Sequence, residues 1–168
     1  MLFIGLKYCR HLLLSMTLDS GTAGNMVQIL AELPDFLREQ IIRKRLQEFV
    51  IFEESDKRET ISMALNAASS IDEHKLTVLL KTWMDVLSEF DPSMIVLMLR
   101  LYCEEISKDQ TTIEKLNIDC LIRAFTTLDE VKKQKFIDCL KESIFSIPNR
   151  HKIIEIMPSA AMEILEMK

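Results

Sequence analysis

Residues 92–107 place the tightest constraint on what this chain can fold into. Asp91 is a good N-cap, and Pro92 suits the first position of a helix, because the N–H that proline lacks would have no partner there. The run MIVLMLRLYCEEI that follows is apolar nearly all round, apart from a narrow polar strip that contains Arg100 and Glu104. A helix of this kind has to be covered on several sides. The sequence therefore predicts a central helix around which the other elements pack.

The segment before this helix predicts its hairpin partner. Asp72 is an expected N-cap, and the residues after it repeat with the period of a helix that has one apolar side and one charged side. The apolar arc consists of Leu76, Leu79, Leu80, Trp83, Met84, Val86, Leu87 and Phe90. We expect two antiparallel helices joined near Asp91, with Trp83 packed close to the central helix.

Length and composition favour an all-α fold. A chain of 168 residues is long enough for one ordinary domain with a core of its own. The chain contains three glycines and four prolines, so few residues could form the tight turns of β-hairpins. This composition, together with a hydrophobic content of 48%, favours helices. We predict about eight or nine helices arranged as antiparallel pairs.

The spacing of the helix starts suggests a repeated unit. Predicted starts at Asp35, Asp72, Thr111 and Asn149 lie 37 to 39 residues apart, and each opens a pair of helices. This spacing is typical of helix-pair repeats, although the units do not align residue by residue. The sequence thus predicts either a stacked array that resembles HEAT repeats in its architecture or a compact multi-helix bundle.

Local signals fix further details of the expected helices. Asp35 is expected to cap a helix that ends near Phe52, and Asp56 with Glu59 has the spacing of a capping box. Phe36 and Phe49 are expected to belong to the core. Each of these assignments is a prediction about which side chain faces inward or caps a helix.

The N-terminal residues divide the chain into two predicted parts. Residues 1–16 are apolar but are interrupted by Lys7, Arg10 and His11, whereas a secretory signal carries its charges before the apolar run. The segment is therefore expected to be an extra helix or an extension ahead of a true start at Met16, and no membrane span is expected. Residues 1–25 form this leader and a glycine-containing linker, and residues 26–168 form a single all-helical domain.

The sequence offers no signature of catalysis. Glu-x-x-His pairs, Gly-x-Ser-x-Gly and glycine-rich phosphate loops are absent, and the three histidines lie far apart. We therefore expect no enzymatic activity, no catalytic residue, no metal and no cofactor. The four cysteines, which lack CxxC spacing, are expected to be small buried residues in a reducing compartment, which indicates the cytoplasm: Cys9, Cys103, Cys120 and Cys139.

The densest cationic run supplies one candidate site. Arg38, Arg43, Lys44 and Arg45 lie on one predicted helix, where arginines could grip a carboxylate or a phosphate. Neighbouring glutamates could equally neutralise the run, and a formal charge of −5 argues against a general polyanion binder. Binding of a nucleic acid or an acidic ligand is therefore the alternative hypothesis.

The leading hypothesis is a non-enzymatic helical module that binds a protein partner. It is motivated by the absence of catalytic motifs and by the paired helices. The candidate partner-binding residues are the four basic residues Arg38, Arg43, Lys44 and Arg45 together with Arg100 and Glu104. Arg100 and Glu104 are expected either to mark the place where the central helix reaches solvent or to pair with each other. Homo-oligomerisation is a further expectation, because so many aliphatic residues can leave apolar surface uncovered.

Overall fold

The computed structural model of the chain describes residues 20–108 and 117–167, and this part of the chain is helical without any strand. The prediction of an all-α fold is therefore confirmed. The described residues form α1 (Ser20–Glu32), α2 (Asp35–Val50), α3 (Glu54–Ala68), α4 (Glu73–Leu87), α5 (Pro92–Lys108), α6 (Ile118–Thr126), α7 (Glu130–Ser146), α8 (Arg150–Ile156) and α9 (Ser159–Ile164).

The predicted hairpin at the centre of the sequence is present as α4 and α5. The carboxylate of Asp72 caps α4 by accepting hydrogen bonds from the backbone N–H groups of His74 (3.0 Å) and Lys75 (3.3 Å). Helix α5 begins at Pro92 as expected and contacts α3, α7 and α8. Ile95 and Leu101 of α5 are completely buried. The apolar character of α5 thus reflects neighbours on several sides.

The helices are stacked in two rows. Helix α1 contacts α3, α3 contacts α5 and α5 contacts α7, while α2 contacts α4 and α4 contacts α6. In the first row, the Ser143 hydroxyl donates to the Val96 carbonyl (3.0 Å), and the Cys139 thiol lies 3.9 Å from the Pro92 carbonyl. Both pairs are 47 residues apart in the chain, so α5 and α7 run parallel.

Side-chain contacts between helices recur at similar separations along the chain. They join residues separated by 44 positions for Arg38 and Thr82 (α2 and α4), by 46 for Arg58 and Glu104 (α3 and α5), and by 47 for Lys132 and Asp85 (α7 and α4). The helices begin 38 residues apart from α2 to α4, from α3 to α5 and from α5 to α7, but 34 apart from α1 to α3 and 45 apart from α4 to α6. The spacing of the helices is therefore similar along the chain but not constant.

Several predicted helix starts are corrected by the structure. Helix α1 begins at Ser20, so residues 20–25 of the expected linker are helical; residues 1–19 lie outside the described part. Asp35 is the first residue of α2 and does not cap it, and α2 ends at Val50 instead of Phe52. An acidic residue in the first turn is still favourable, because the N-terminal end of a helix carries partial positive charge.

Two further starts also differ. Helix α3 begins at Glu54, which places Asp56 inside the first turn instead of at a capping box. The predicted cap at Thr111 lies outside the described residues, and α6 begins at Ile118. Its N-terminus is capped by the Asn117 side chain, which accepts from the Cys120 N–H (3.1 Å).

The described cysteines are free and buried, as expected for small core residues. Cys139 belongs to the main core, Cys120 packs with Ala68 and Leu76, and Cys103 packs with a C-terminal cluster around Ile144. Burial raises the pKa of the Cys103 thiol to about 12, so this thiol stays protonated at neutral pH. Cys9 lies outside the described residues.

Candidate functional site

An apolar cavity of about 440 Å³, partly open to solvent, lies among the helices of the described part of the chain. Residues from all nine described helices line it, from Val27 in α1 to Ile164 in α9. Nearly all of the lining side chains are aliphatic or aromatic; the polar exceptions include Arg45, Thr60 and Tyr102. The cavity is therefore a property of the whole stack and not of any one helix pair.

Three aromatic side chains form one part of the wall. The Trp83 ring meets Tyr102 edge-on, with ring centroids 5.6 Å apart, and meets Phe136 in a similar way at 6.2 Å. This is the edge-to-face geometry that aromatic pairs prefer. Trp83 was predicted to pack near the central helix, and its contact with Tyr102 of α5 confirms this.

Two polar groups of the lining bond within the protein. The Thr60 hydroxyl donates to the Asp56 carbonyl (2.7 Å), and Arg45 pairs with Glu48 (2.9 Å). Burial raises the pKa of Tyr102 to about 12, so its hydroxyl remains a neutral donor across the physiological range.

Arg38, the first residue of the predicted basic site, is buried at 4% exposure. Its Nε donates to the Leu30 carbonyl (2.9 Å), and its terminal nitrogens donate to the Leu33 carbonyl and to Asp35 (2.6 Å). These bonds hold the end of α1 against the start of α2. The side chain therefore has a structural task inside the protein.

The inward position of Arg38 also corrects the prediction for Phe36, which is 63% exposed, whereas Phe49 is buried as expected. Residues two apart on a helix are separated by about 200° around its axis. Because Arg38 faces inward, Phe36 has to face outward.

The remaining basic residues of α2 have carboxylate partners. Arg43 bonds to Glu89 and Glu39, and these hydrogen bonds, that to Glu89 first, raise the pKa of its guanidinium. Arg45 lies 2.9 Å from Glu48, and Lys44, which is largely exposed, lies 3.9 Å from the same carboxylate. The run is thus largely neutralised within the protein.

Arg100 and Glu104 pair with each other, as one of the two predictions for them stated. The Nε of Arg100 lies 3.6 Å from the Glu104 carboxylate, beyond hydrogen-bond range, and this nitrogen is buried without another partner. Sequence reasoning missed the stronger partner of Glu104, which is Arg58 at 2.6 Å. Arg58 also contacts Glu105 at 3.3 Å.

Exposed apolar residues concentrate at one end of the stack. Five of the seven large exposed hydrophobic residues belong to α1, α2 or the turn that follows α2: Ile29, Phe36, Leu37, Val50 and Ile51. These five residues are called the α1–α2 surface below. The other two, Val131 and Phe145, lie on α7. Within the described part of the chain, α1 and α2 have helix pairs on one side only, so this end of the stack is open.

Residues 20–108 and 117–167 contain neither a cluster of metal ligands nor a membrane-spanning helix. No group of three or more His, Cys, Asp or Glu side chains in these ranges is arranged to hold a metal ion. Among the same residues, no helix combines the length and the apolar character that crossing a membrane requires.

Comparison of the chain with protein-family models, with curated proteins and with solved structures found no match.

Proposed function

We propose that this chain is a non-enzymatic, HEAT-like helical module that binds a protein partner through the α1–α2 surface. The observation that carries the proposal is the concentration of exposed Ile29, Phe36, Leu37, Val50 and Ile51 on the first described helix pair. Single apolar residues scattered over a protein surface are normal, whereas a contiguous apolar patch is typical of an interaction site.

The stacking of the helices supports the same proposal. In an array of helix pairs, each pair buries the faces that it shares with its neighbours. The outer face of a terminal pair has no such neighbour, so it is normally polar or covered by a capping element. The pair α1–α2 is such a pair within the described chain, because α1 contacts α3 and α4 and α2 contacts α4. A protein partner that covers this face would take the place of a further helix pair, and a second copy of the chain would be one such partner.

The alternative, binding of a nucleic acid or an acidic ligand by the basic helix, has less support. Arg38 is buried, and Arg43 and Arg45 bond to carboxylates, so that Lys44 is the most exposed cation of the run. Salt-dependent binding that is lost in Lys44→Glu would favour this alternative. The free thiols of Cys103, Cys120 and Cys139 suit the proposed cytoplasmic location.

Affinity purification with two matched charge variants tests the proposal. Phe36→Glu places a carboxylate on the α1–α2 surface, and Val131→Glu places one at a residue that is even more exposed, at 80%, on α7. Both sites are exposed, so the melting temperatures of both variants should stay close to that of the wild type. Light scattering on the same three proteins reports self-association.

We expect at least one protein, or a second copy of the chain, to be retained by the wild type and by Val131→Glu but lost with Phe36→Glu. Equal retention by all three proteins, or no retention above background, would contradict the proposal.

A further inference from the structure

We propose that the α1–α2 surface binds a helix of another protein, and that this helix carries an acidic side chain midway between two apolar groups. The inference rests on the proposed function and adds the chemistry of the partner to it. Two observations carry it: the order of the exposed residues along α2 and the exposed charge of Lys44.

The exposed side of α2 is apolar at both ends and polar in the middle. Phe36 and Val50 lie 14 positions apart, which corresponds to about 21 Å along a helix and to about 40° less than four full turns. They therefore point to nearly the same side of α2. Gln40, Lys44 and Gln47 are exposed and lie between them. A partner that contacts both apolar ends has to cover Lys44.

A helix suits this surface better than an extended peptide. The backbone groups of α2 are bonded within the helix, so a bound strand would find no edge to pair with and would bury its own N–H and C=O groups without partners. A helix satisfies its backbone internally and presents side chains on one side over about 21 Å in about four turns. The stack uses the same packing, because α4 contacts the opposite side of α2.

The charge of Lys44 favours an acidic partner. The Lys44 side chain is 76% exposed, and its Nζ lies 3.9 Å from the Glu48 carboxylate, beyond hydrogen-bond range. Glu48 bonds instead to Arg45 at 2.9 Å, and Arg43 already pairs with Glu89. A cation that is covered by a partner loses hydration, which is unfavourable unless the partner supplies a counter-charge. A carboxylate at the centre of the bound helix would supply it.

A second copy of the chain is a poorer occupant of this surface. Two copies of α2 can pair antiparallel about a two-fold axis, with Phe36 of each copy against Val50 of the other, and the axis then passes close to residue 43. This arrangement brings the Lys44 side chains of both copies close together, and like charges repel. The surface therefore favours a different, acidic partner.

Two designed peptides test the charge of the partner. Both are capped, alanine-rich helices of about 20 residues with leucines at the two ends of one side; one carries glutamate at the centre of that side and the other carries lysine. Fluorescence anisotropy of each labelled peptide, titrated with the full-length protein, gives the dissociation constants. We expect the wild type to bind the glutamate peptide about tenfold more tightly than the lysine peptide, as one close ion pair predicts.

Three variants assign the preference to the surface. Lys44→Glu should reverse it, because the glutamate peptide then meets a like charge and the lysine peptide an opposite one. Lys152→Glu makes the same change of charge at an exposed lysine of α8 and should keep the wild-type preference. Phe36→Ala removes an apolar contact at one end of the surface and should weaken both peptides to a similar extent.

Several results would overturn the acidic helix as the partner. These are equal affinity of the wild type for the two peptides, no binding of either, and the same preference in Lys44→Glu as in the wild type. A wild-type dimer in light scattering that is lost in Phe36→Ala would assign the surface to a second copy instead. Binding of a labelled oligothymidylate that is lost in Lys44→Glu but kept in Phe36→Ala would assign Lys44 to a nucleic acid. Affinity purification with Phe36→Glu reports on the partner surface independently, so failure here is distinct from failure of the proposed function.

Discussion

Arg38 shows how a single side chain can organise a turn between two helices. Its guanidinium donates to the carbonyls of Leu30 and Leu33 at the end of α1 and to Asp35 at the start of α2. The carbonyls at the end of a helix have no partner within it, and a cation that bonds to them is favourable in both charge and geometry. The orientation of the first described helix pair therefore depends on this residue.

Replacing Arg38 with alanine should destabilise the protein strongly. The substitution leaves the carbonyls of Leu30 and Leu33 without this donor and opens a gap beneath α2, and we expect a loss of about 3 kcal/mol in the free energy of unfolding. Lys44→Ala on the same helix is the control, because Lys44 is exposed, and it should change stability by less than about 0.5 kcal/mol. Urea unfolding measures both, and equal stabilities would rule out the structural role of Arg38.

Tyr102 predicts how stability depends on alkaline pH. Its pKa is raised to about 12 in the folded protein by burial, compared with about 10 in an unfolded chain. The folded state then keeps a proton that the unfolded state releases, so this contribution is complete below about pH 10 and is lost as the pH rises towards 12. It amounts to at most about 3 kcal/mol. Cys103, whose pKa is raised in the same way, acts in the same direction.

Urea unfolding between pH 9 and pH 11.5 checks this prediction, in the wild type and in Tyr102→Phe. The wild type should lose stability above about pH 10 more steeply than the variant. Parallel curves for the two proteins would show that Tyr102 titrates normally.

These residues also show where sequence reasoning succeeds and where it stops. The cap at Asp72 and the start at Pro92 could be predicted because they depend on neighbours in the chain. The inward orientation of Arg38 and the outward orientation of Phe36 could not be predicted, because they depend on the contacts of Arg38 with α1 and α4. The contact of Arg58 with Glu104 likewise depends on how α3 lies on α5.

At the scale of the helices, polar contacts tie α4 to α7, three helices further along the chain. Burial would raise the pKa of Asp85 in α4, but hydrogen bonds from Lys132 of α7 and from Lys81 outweigh this and lower it. Lys135 of α7 donates to the carbonyls of Ser88 and Phe90, both at 2.7 Å, just beyond the end of α4. Helix α7 thus adds a second cap just beyond the C-cap that Ser88 gives α4.

Removing this cap should destabilise the protein without affecting its core. Lys135→Met keeps the apolar part of the side chain but leaves the two carbonyls without their donor, and we expect a loss of about 1–2 kcal/mol. Lys133→Met is the matched control, because Lys133 pairs only with the exposed carboxylate of Glu130 at 2.8 Å. Thermal unfolding of both variants tests the prediction. A similar small effect of both substitutions would show that the cap is unimportant.

At the scale of the whole molecule, the stacking of the helices has two structural features. The rows line a partly open apolar cavity, and the first described pair, α1–α2, lacks a neighbour on one side within the described residues. The paired helices and their spacing could be predicted from helix starts. The cavity and the open end could not, because they arise from the spacing between side chains of all nine described helices.

The most direct test of the central claim is photo-crosslinking at two matched phenylalanines. Phe36 lies on the α1–α2 surface at 63% exposure and Phe145 lies on α7 at 56%, so benzoylphenylalanine at either site is similarly accessible. If the α1–α2 surface binds a protein, irradiation in cells should give a discrete higher-mass adduct from residue 36 and none from residue 145. Adducts of the same mass and yield from both positions, or none from residue 36, would contradict the account.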